Sequence, residues 1–391
     1  MNPGNMTGFM VQFTPTAEAI LSEIQHQHQQ VCAISHNAHL ICVNTEIFSH
    51  PMTRIQLLFH PYELPLRETW PGSSSSLERR KGWILEIRHD GHRGFGECAP
   101  LPETGTENHR AAERQLAGLA AGNLPAATDE LARHTPAVSC GIEMALLDLE
   151  ARRQGVALRR LLVRSPAASF RVNGLSGSAC RNHLAKACHE GFEVIKLKVG
   201  HGSWEEELRC LESLVPQLPR ETRLRLDANG AWDITTAHRF LAAAESLPIE
   251  SVEEPLAQPT LESLKALQQE TCIPLAIDES LHRLDLETLF AHAPVQRLVL
   301  KPMTLGGLKR TLQLARRAVE AGMEPVVTST LESSIGLHAL CELASAVESF
   351  SPGSHHGLAT SEWFLEDLAA PPRIERGRIF LHDRPGIGVT P

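Results

Sequence analysis

Five charged residues recur along the second half of this chain, each closing a short apolar run: Lys198, Asp227, Glu253, Asp278 and Lys301. The gaps between them are 29, 26, 25 and 23 residues. Each gap matches one strand, one helix and two short loops. Successive βα units of that size can close into a barrel, and the C-terminal ends of barrel strands meet at one mouth. Three carboxylates and two lysines would then face one another. An open doubly wound sheet has similar βα spacing, so periodicity alone leaves both architectures standing.

Strand parity favours a shared face. Side chains alternate along a strand, so Ile195, Leu197 and Val199 take one side and Lys196 and Lys198 the other. By the same alternation Leu224 and Leu226 oppose Arg225 and Asp227, and Leu298 and Leu300 point away from Lys301. Two bare carboxylates about 4 Å apart repel by about 4 kcal/mol at an effective dielectric of 20. A hard divalent cation removes that conflict, and three carboxylates suit Mg²⁺ or Mn²⁺ better than zinc. Each acid could instead cap the helix that follows it. Lysines crowded by cations or buried lose basicity, and a lysine beside a divalent cation can remove a proton α to a carboxylate. A lysine forming a Schiff base is the other option, but it leaves the three acids without a role.

The elements that must position these groups are readable in outline. Barrel strands are expected at 170–174, 194–199, 223–227, 250–253, 274–278, 297–301 and 325–329, with a weak last one near Phe350. Helices are expected between them, as at Trp204 to Val215 and Gly307 to Ala321. Ahead of them, Arg54 to His60, Gly82 to Arg88 and Gly94 to Cys98 read as three strands. Arg67 to Arg80 reads as a flexible loop, Pro100 to Glu107 as a Pro/Gly-punctuated one, and Gly141 to Arg153 as a helix. The expected domains are an extension at 1–53, an α+β cap at 54–150, a barrel at 151–360 and a segment at 361–391 returning to the cap.

The net charge of −9 argues against a nucleic-acid partner. No apolar run is long enough to span a bilayer. Positions 1–53 hold no Lys or Arg, unlike a secretory signal or a transit peptide. This extension is expected to be dispensable, with a chain begun at Met52 keeping its solubility and rate. Nine scattered cysteines without a Cys-x-x-Cys pair fit reduced thiols in a cytoplasmic enzyme. The sequence leaves the oligomeric state open.

The motifs Lys196-Leu197-Lys198, Asp227-Ala228-Asn229, Glu253-Glu254-Pro255, Asp278-Glu279-Ser280 and Lys301-Pro302 together resemble those of the enolase superfamily. The likeness is to the branch of muconate lactonising enzymes and o-succinylbenzoate synthases. It runs over roughly 54–390 and takes in Gly96 to Pro102. It implies a (β/α)7β TIM-type barrel under an N-terminal α+β cap, Asp227, Glu253 and Asp278 as Mg²⁺ ligands (Mn²⁺ can substitute), Lys198 as general base and Lys301 as the lysine opposite. Superfamily members use a Lys or His base with one or two Mg²⁺ ions. The segments 67–80 and 97–107 would close over a small-molecule carboxylate.

Lys196, Arg225, Asn229, Ser329 and Thr330 would contact that substrate. The stretch Thr328 to Gly336 looks like the succinylbenzoate-forming version of the seventh strand, whose hydroxyls and amides hold a carboxylate. Dipeptide epimerases of this fold capture an amine with acids after the last strand. Gly353 to Thr360 has none, and its pair His355-His356 reads as surface. The implied reaction is syn dehydration of a succinyl-bearing cyclohexadiene carboxylate to succinylbenzoate, as in menaquinone synthesis. N-acylamino acid racemisation or dipeptide epimerisation is the rival.

Overall fold

A computed structural model describes residues 55–71, 76–122, 129–180 and 184–391. The extension at 1–53, and the expectation attached to it, lie outside the described residues.

Three strands, β1 (Gln56–Pro71), β2 (Ser76–His89) and β3 (His92–Cys98), form an antiparallel sheet in that order. Asp90 and Gly91 join β2 to β3, both at positive φ (48° and 76°). A two-residue hairpin of matching twist requires that geometry, and Asp-Gly supplies it. Arg67 to Arg80, expected as a loop, instead belongs largely to the arms of β1 and β2. Trp70 pairs with Leu77 after a register shift beyond Pro65, and ladder pairing satisfies backbone groups that a loop would leave to water. Residues 72–75 are outside the described set.

Helix Pro136–Gln154 lies against β3 and is buried along most of its length. Its approach is close enough that a Cβ at Gly94 or Gly96 would come within 2.2 or 2.1 Å of the carbonyls of Ala145 or Gly141. Glycine is obligatory at both places, which explains the Gly94-Phe95-Gly96 spacing.

Seven parallel strands make the curled sheet of the barrel: β5 (Gly174–Ser178), β6 (Val194–Lys198), β7 (Arg223–Asp227), β8 (Ile249–Glu253), β9 (Leu275–Ile277), β10 (Arg297–Leu300) and β11 (Glu324–Val327). The α/β barrel expected from the spacing is what forms. Its first and last strands differ from expectation. Residues 169–178 hold two strands, and only β5 joins the seven. The other, β4 (Ser169–Val172), pairs with β12 (His355–His356) and β14 (Arg378–Phe380), which in turn pairs with β13 (Ile374–Glu375).

Phe350 is not in a strand. Helix Ser334–Glu348 is buried almost throughout, and the Phe350 amide still donates to Val347 O in its final turn. The closing strand is β12, joined to the seventh by a Thr328–Gly357 bridge and to the first by the Asn173 amide donating to His356 O.

Cys180, just after β5, and Cys210, in helix Trp204–Leu214, form a disulfide with Cα atoms 5.3 Å apart. This corrects the expectation of reduced thiols throughout. Neighbouring βα units juxtapose residues 30 apart, which no local cysteine motif reports. Cys98, Cys140, Cys188, Cys272 and Cys341 are free. Among the described residues, no helix is long and apolar enough to cross a membrane.

Candidate active site

Strand register levels the charged residues. Lys198 lies beside Asp227, and Asp227 beside Glu253, at the ends of β6, β7 and β8. Asp278 and Lys301 follow β9 and β10 directly. The acids are buried, and lysines hold them. Lys196 Nζ stands 3.0 Å from Asp227 Oδ2 and also bonds Glu253 Oε2. Lys301 Nζ is 2.6 Å from Asp278 Oδ2 and 3.2 Å from Glu279 Oε1. Among the described residues no three His, Cys, Asp or Glu side chains stand together as a ready metal cluster. Two ammonium groups supply the counter-charge that the sequence assigns to a cation.

The donors nonetheless suit one. They are oxygen-only carboxylates on three adjacent strands, and Glu279 Oε2 beside them is buried without a hydrogen bond. Withdrawal of the ammonium groups would leave a donor set that matches a hard divalent ion.

The three lysines are not equivalent. Burial lowers the pKa of Lys198, the cations of Lys196 and Lys301 push the same way, and Asp227 opposes only in part. Its Nζ donates to Asn229 Oδ1 at 3.0 Å. Burial also works against charge on Lys196, but Asp227, Glu253 and Asp278 outweigh it and hold that lysine above its ordinary range. Lys301 is held high in the same way by Asp278 and Glu279. Burial and Glu279 push the Asp278 carboxyl up, while Lys301 pulls against them.

A cavity of about 120 Å³ sits over these groups. Lys196, Lys198, Asp227, Asn229, Glu253 and Lys301 line it from the barrel, with Ser329 and Thr330 on one wall and Leu101, Glu103 and Thr104 from the cap. It meets an outer cavity of about 1380 Å³ along Leu175 to Gly177, Lys198 and Trp363, and the outer space is bordered by Arg67 to Thr69. Both expected closing segments therefore border the site. The second is tethered: Leu101 N donates to Thr106 Oγ1, and Glu107 accepts from the Ala137 and Val138 amides.

Arg225 is not part of this wall. It is 1% exposed, and its guanidinium is taken by Glu250, Asn173 Oδ1 and His355 O, deeper in the barrel. His356 is fully buried, not a surface residue. Its Nδ1 accepts from the Val327 amide, and burial takes its pKa down to about 3. The expected carboxylate grip of the seventh-strand stretch is also largely occupied within the protein. The amides of Ser329, Thr330 and Leu331 donate to Gly357 O, Glu332 Oε2 and Ser329 Oγ, and the Thr330 hydroxyl donates to Glu332.

Sequence reasoning missed Ser176. Its Oγ is buried, has no hydrogen-bond partner and borders both cavities. Placing the first barrel strand at 170–174 stopped short of it, and the register shift between Leu175 and Ser178 breaks the alternation that would have assigned it a face.

Residues 179–391 match the family model for the enolase C-terminal domain-like fold, and residues 53–149 match that described as the MenC N-terminal domain. An o-succinylbenzoate synthase of Pectobacterium atrosepticum is 32% identical over 298 residues, which cover 74% of this chain and 86% of that protein. The muconate lactonizing enzyme of Pseudomonas fluorescens, solved with muconolactone, superposes with a TM-score of 0.77 at 22% identity, over 87% of this chain and 97% of that one. The dipeptide epimerase of Enterococcus faecalis, solved with Mg and a dipeptide, has a TM-score of 0.77 at 22% identity, over 86% and 99%. At such identities the structural likeness is one of fold. The chain belongs to the enolase superfamily, in the branch that contains muconate lactonising enzymes and o-succinylbenzoate synthases. It is a superfamily enzyme of hydro-lyase or isomerase type.

Proposed function

We propose that this enzyme is an o-succinylbenzoate synthase, dehydrating 2-succinyl-6-hydroxy-2,4-cyclohexadiene-1-carboxylate to 2-succinylbenzoate in the cytoplasm. The observation that carries this reading is the match of residues 53–149 to the MenC N-terminal domain, with 32% identity to an o-succinylbenzoate synthase over 86% of that protein. Lys198 is held by the neutral Asn229, whereas Lys301 lies between the acids Asp278 and Glu279. One base beside a fixed cation suits a syn elimination. A racemase needs two lysines that exchange protons.

Neutral Lys198, oriented by Asn229, takes the proton α to the ring carboxylate. The C–H electron pair becomes a ring double bond as the C–O bond breaks. The Lys198 ammonium returns its proton to the departing oxygen, water leaves, and Lys198 is neutral again. Lys301 presents its charge to the opposite ring face. Ser176 Oγ can donate to an oxygen of the substrate.

Asp227, Glu253 and Asp278 would hold Mg²⁺, or Mn²⁺ in its place, which when bound supplies positive charge to the ring carboxylate. The dipeptide epimerase of the same fold was solved with Mg, which supports that assignment.

Two assays test the reading. Dehydration of the succinyl cyclohexadiene should be fast, stop on exhaustive chelation and return with Mg²⁺ or Mn²⁺; full activity after chelation rejects the metal assignment. Fast α-proton exchange in D₂O for both enantiomers of an N-succinylamino acid, each lost with a different lysine and without dehydration, would replace the reading with a racemase.

A further inference from the structure

Arg80 of β2 is 1% exposed at the seam between the N-terminal sheet and the barrel. An arginine has five N–H donors, and main-chain carbonyls take all five here. Nε donates to Leu331 O at 2.9 Å; Nη1 donates to Pro100 O at 2.7 Å and Lys81 O at 3.2 Å. Nη2 donates to Ala99 O and, at 3.3 Å, to Thr330 O. One guanidinium thus ties β2 to segments about 20 and 250 residues away along the chain.

Both segments are walls of the catalytic pocket. Ala99 and Pro100 lead into Leu101 and Thr104, while Thr330 and Leu331 face the pocket from the barrel. Leu331 sits at a φ of 64°, a conformation that non-glycine residues keep only where surroundings enforce it. Three contacts do so. Its carbonyl meets Arg80, its amide donates to Ser329 Oγ, and its side chain joins Leu64, Leu66 and Phe364 in a small apolar cluster.

We infer that Arg80 is a positioning residue that fixes the gap between the cap loop at 101–104 and the barrel loop at 329–331, and through that gap governs substrate affinity. It lines neither cavity. The cap wall on this side is therefore preset. The kinetic consequence rests on the proposed dehydration; the mechanical one does not.

Arg80→Lys keeps the charge but cannot reproduce the planar fork, whereas Arg80→Met removes both. Hydrogen exchange read by mass spectrometry, without ligand, should show 99–104 and 329–331 losing protection together in either variant. With substrate, Arg80→Lys should raise KM by about tenfold while kcat stays within about threefold. The pH midpoint set by Lys198 should not move. If Arg80→Met fails to fold, Arg80→Lys carries both measurements. Loosening of one segment alone overturns the assignment, as does an unchanged KM with both segments loosened. A wild-type enzyme that fails to dehydrate the succinyl cyclohexadiene, with exchange of the two segments still coupled through Arg80, supports the assignment and overturns the proposed reaction.

Discussion

Lys196 and Lys198 are two residues apart on one face of β6, yet they meet different fields. Lys196 points down between Asp227 and Glu253, while Lys198, a step nearer the mouth, is desolvated beside two cations. The proposed mechanism needs neutral Lys198, so kcat/KM should rise with pH through a midpoint below the ordinary lysine value of about 10.4. Lys196→Met removes a repelling cation, which raises the Lys198 pKa. The alkaline rise should then move to higher pH in a pH–rate profile; an unmoved or lower midpoint contradicts this electrostatic account. Lys198→Ala should lose at least about a hundredfold in α-proton removal. Lys301→Arg should keep part of the dehydration, whereas Lys301→Ala should lose about 2 kcal/mol of charge stabilisation, read from single-turnover rates. The shared face of the charged positions was legible because strand parity reports which face a side chain takes; the role of Lys198 as base is what the family resemblance implies. Parity does not report depth. Arg225 and Asp227 share a face, but Arg225 lies lower and is absorbed by Glu250 and Asn173.

The regular βα spacing made the middle strands easy to locate, since each apolar run ends on a charge and is followed by an amphipathic helix. The edges of the barrel were not so marked. Between Ser169 and Ser178 the chain passes from one sheet to another at Asn173, and nothing in local propensity signals a change of partner. Glu254 shows a similar limit. Parity turns it from the site, and it does leave the row of proposed ligands, but at a φ of 46° it reaches the next strand end. Its Oε2 accepts from the Asp278 amide at 2.8 Å and from Ser280 Oγ at 3.0 Å. Supports of this kind typically hold metal ligands in place. Glu254→Ala should weaken Mg²⁺ binding by about 10- to 100-fold in calorimetric titration while leaving all three ligands intact. Equal affinity in the variant would show that Asp278 is held by other contacts.

At the scale of the molecule, cap and barrel share buried polar contacts across their seam. Glu97 of β3 accepts from Tyr62 OH, from the amide and hydroxyl of Ser333, and from the Gly336 amide at the start of helix Ser334–Glu348. All four partners are donors, so Glu97→Gln turns an amide NH₂ against them. It should cost about 1–3 kcal/mol in chemical denaturation, with cap and barrel still melting together. A second seam lies further along the chain. Asp148, in the long cap helix, accepts from the Phe95 amide and from Ile387 N, 239 residues away, and Arg152 donates to Val389 O. Synthesis runs from the N-terminus, and early domains commonly fold before later ones are made. This cap cannot do so completely, because a nascent chain halted before residue 386 would carry a buried Asp148 still lacking its last donor. The cap is thus translated ahead of the barrel yet completed only after it, and until then its helix should remain open to chaperones and proteases.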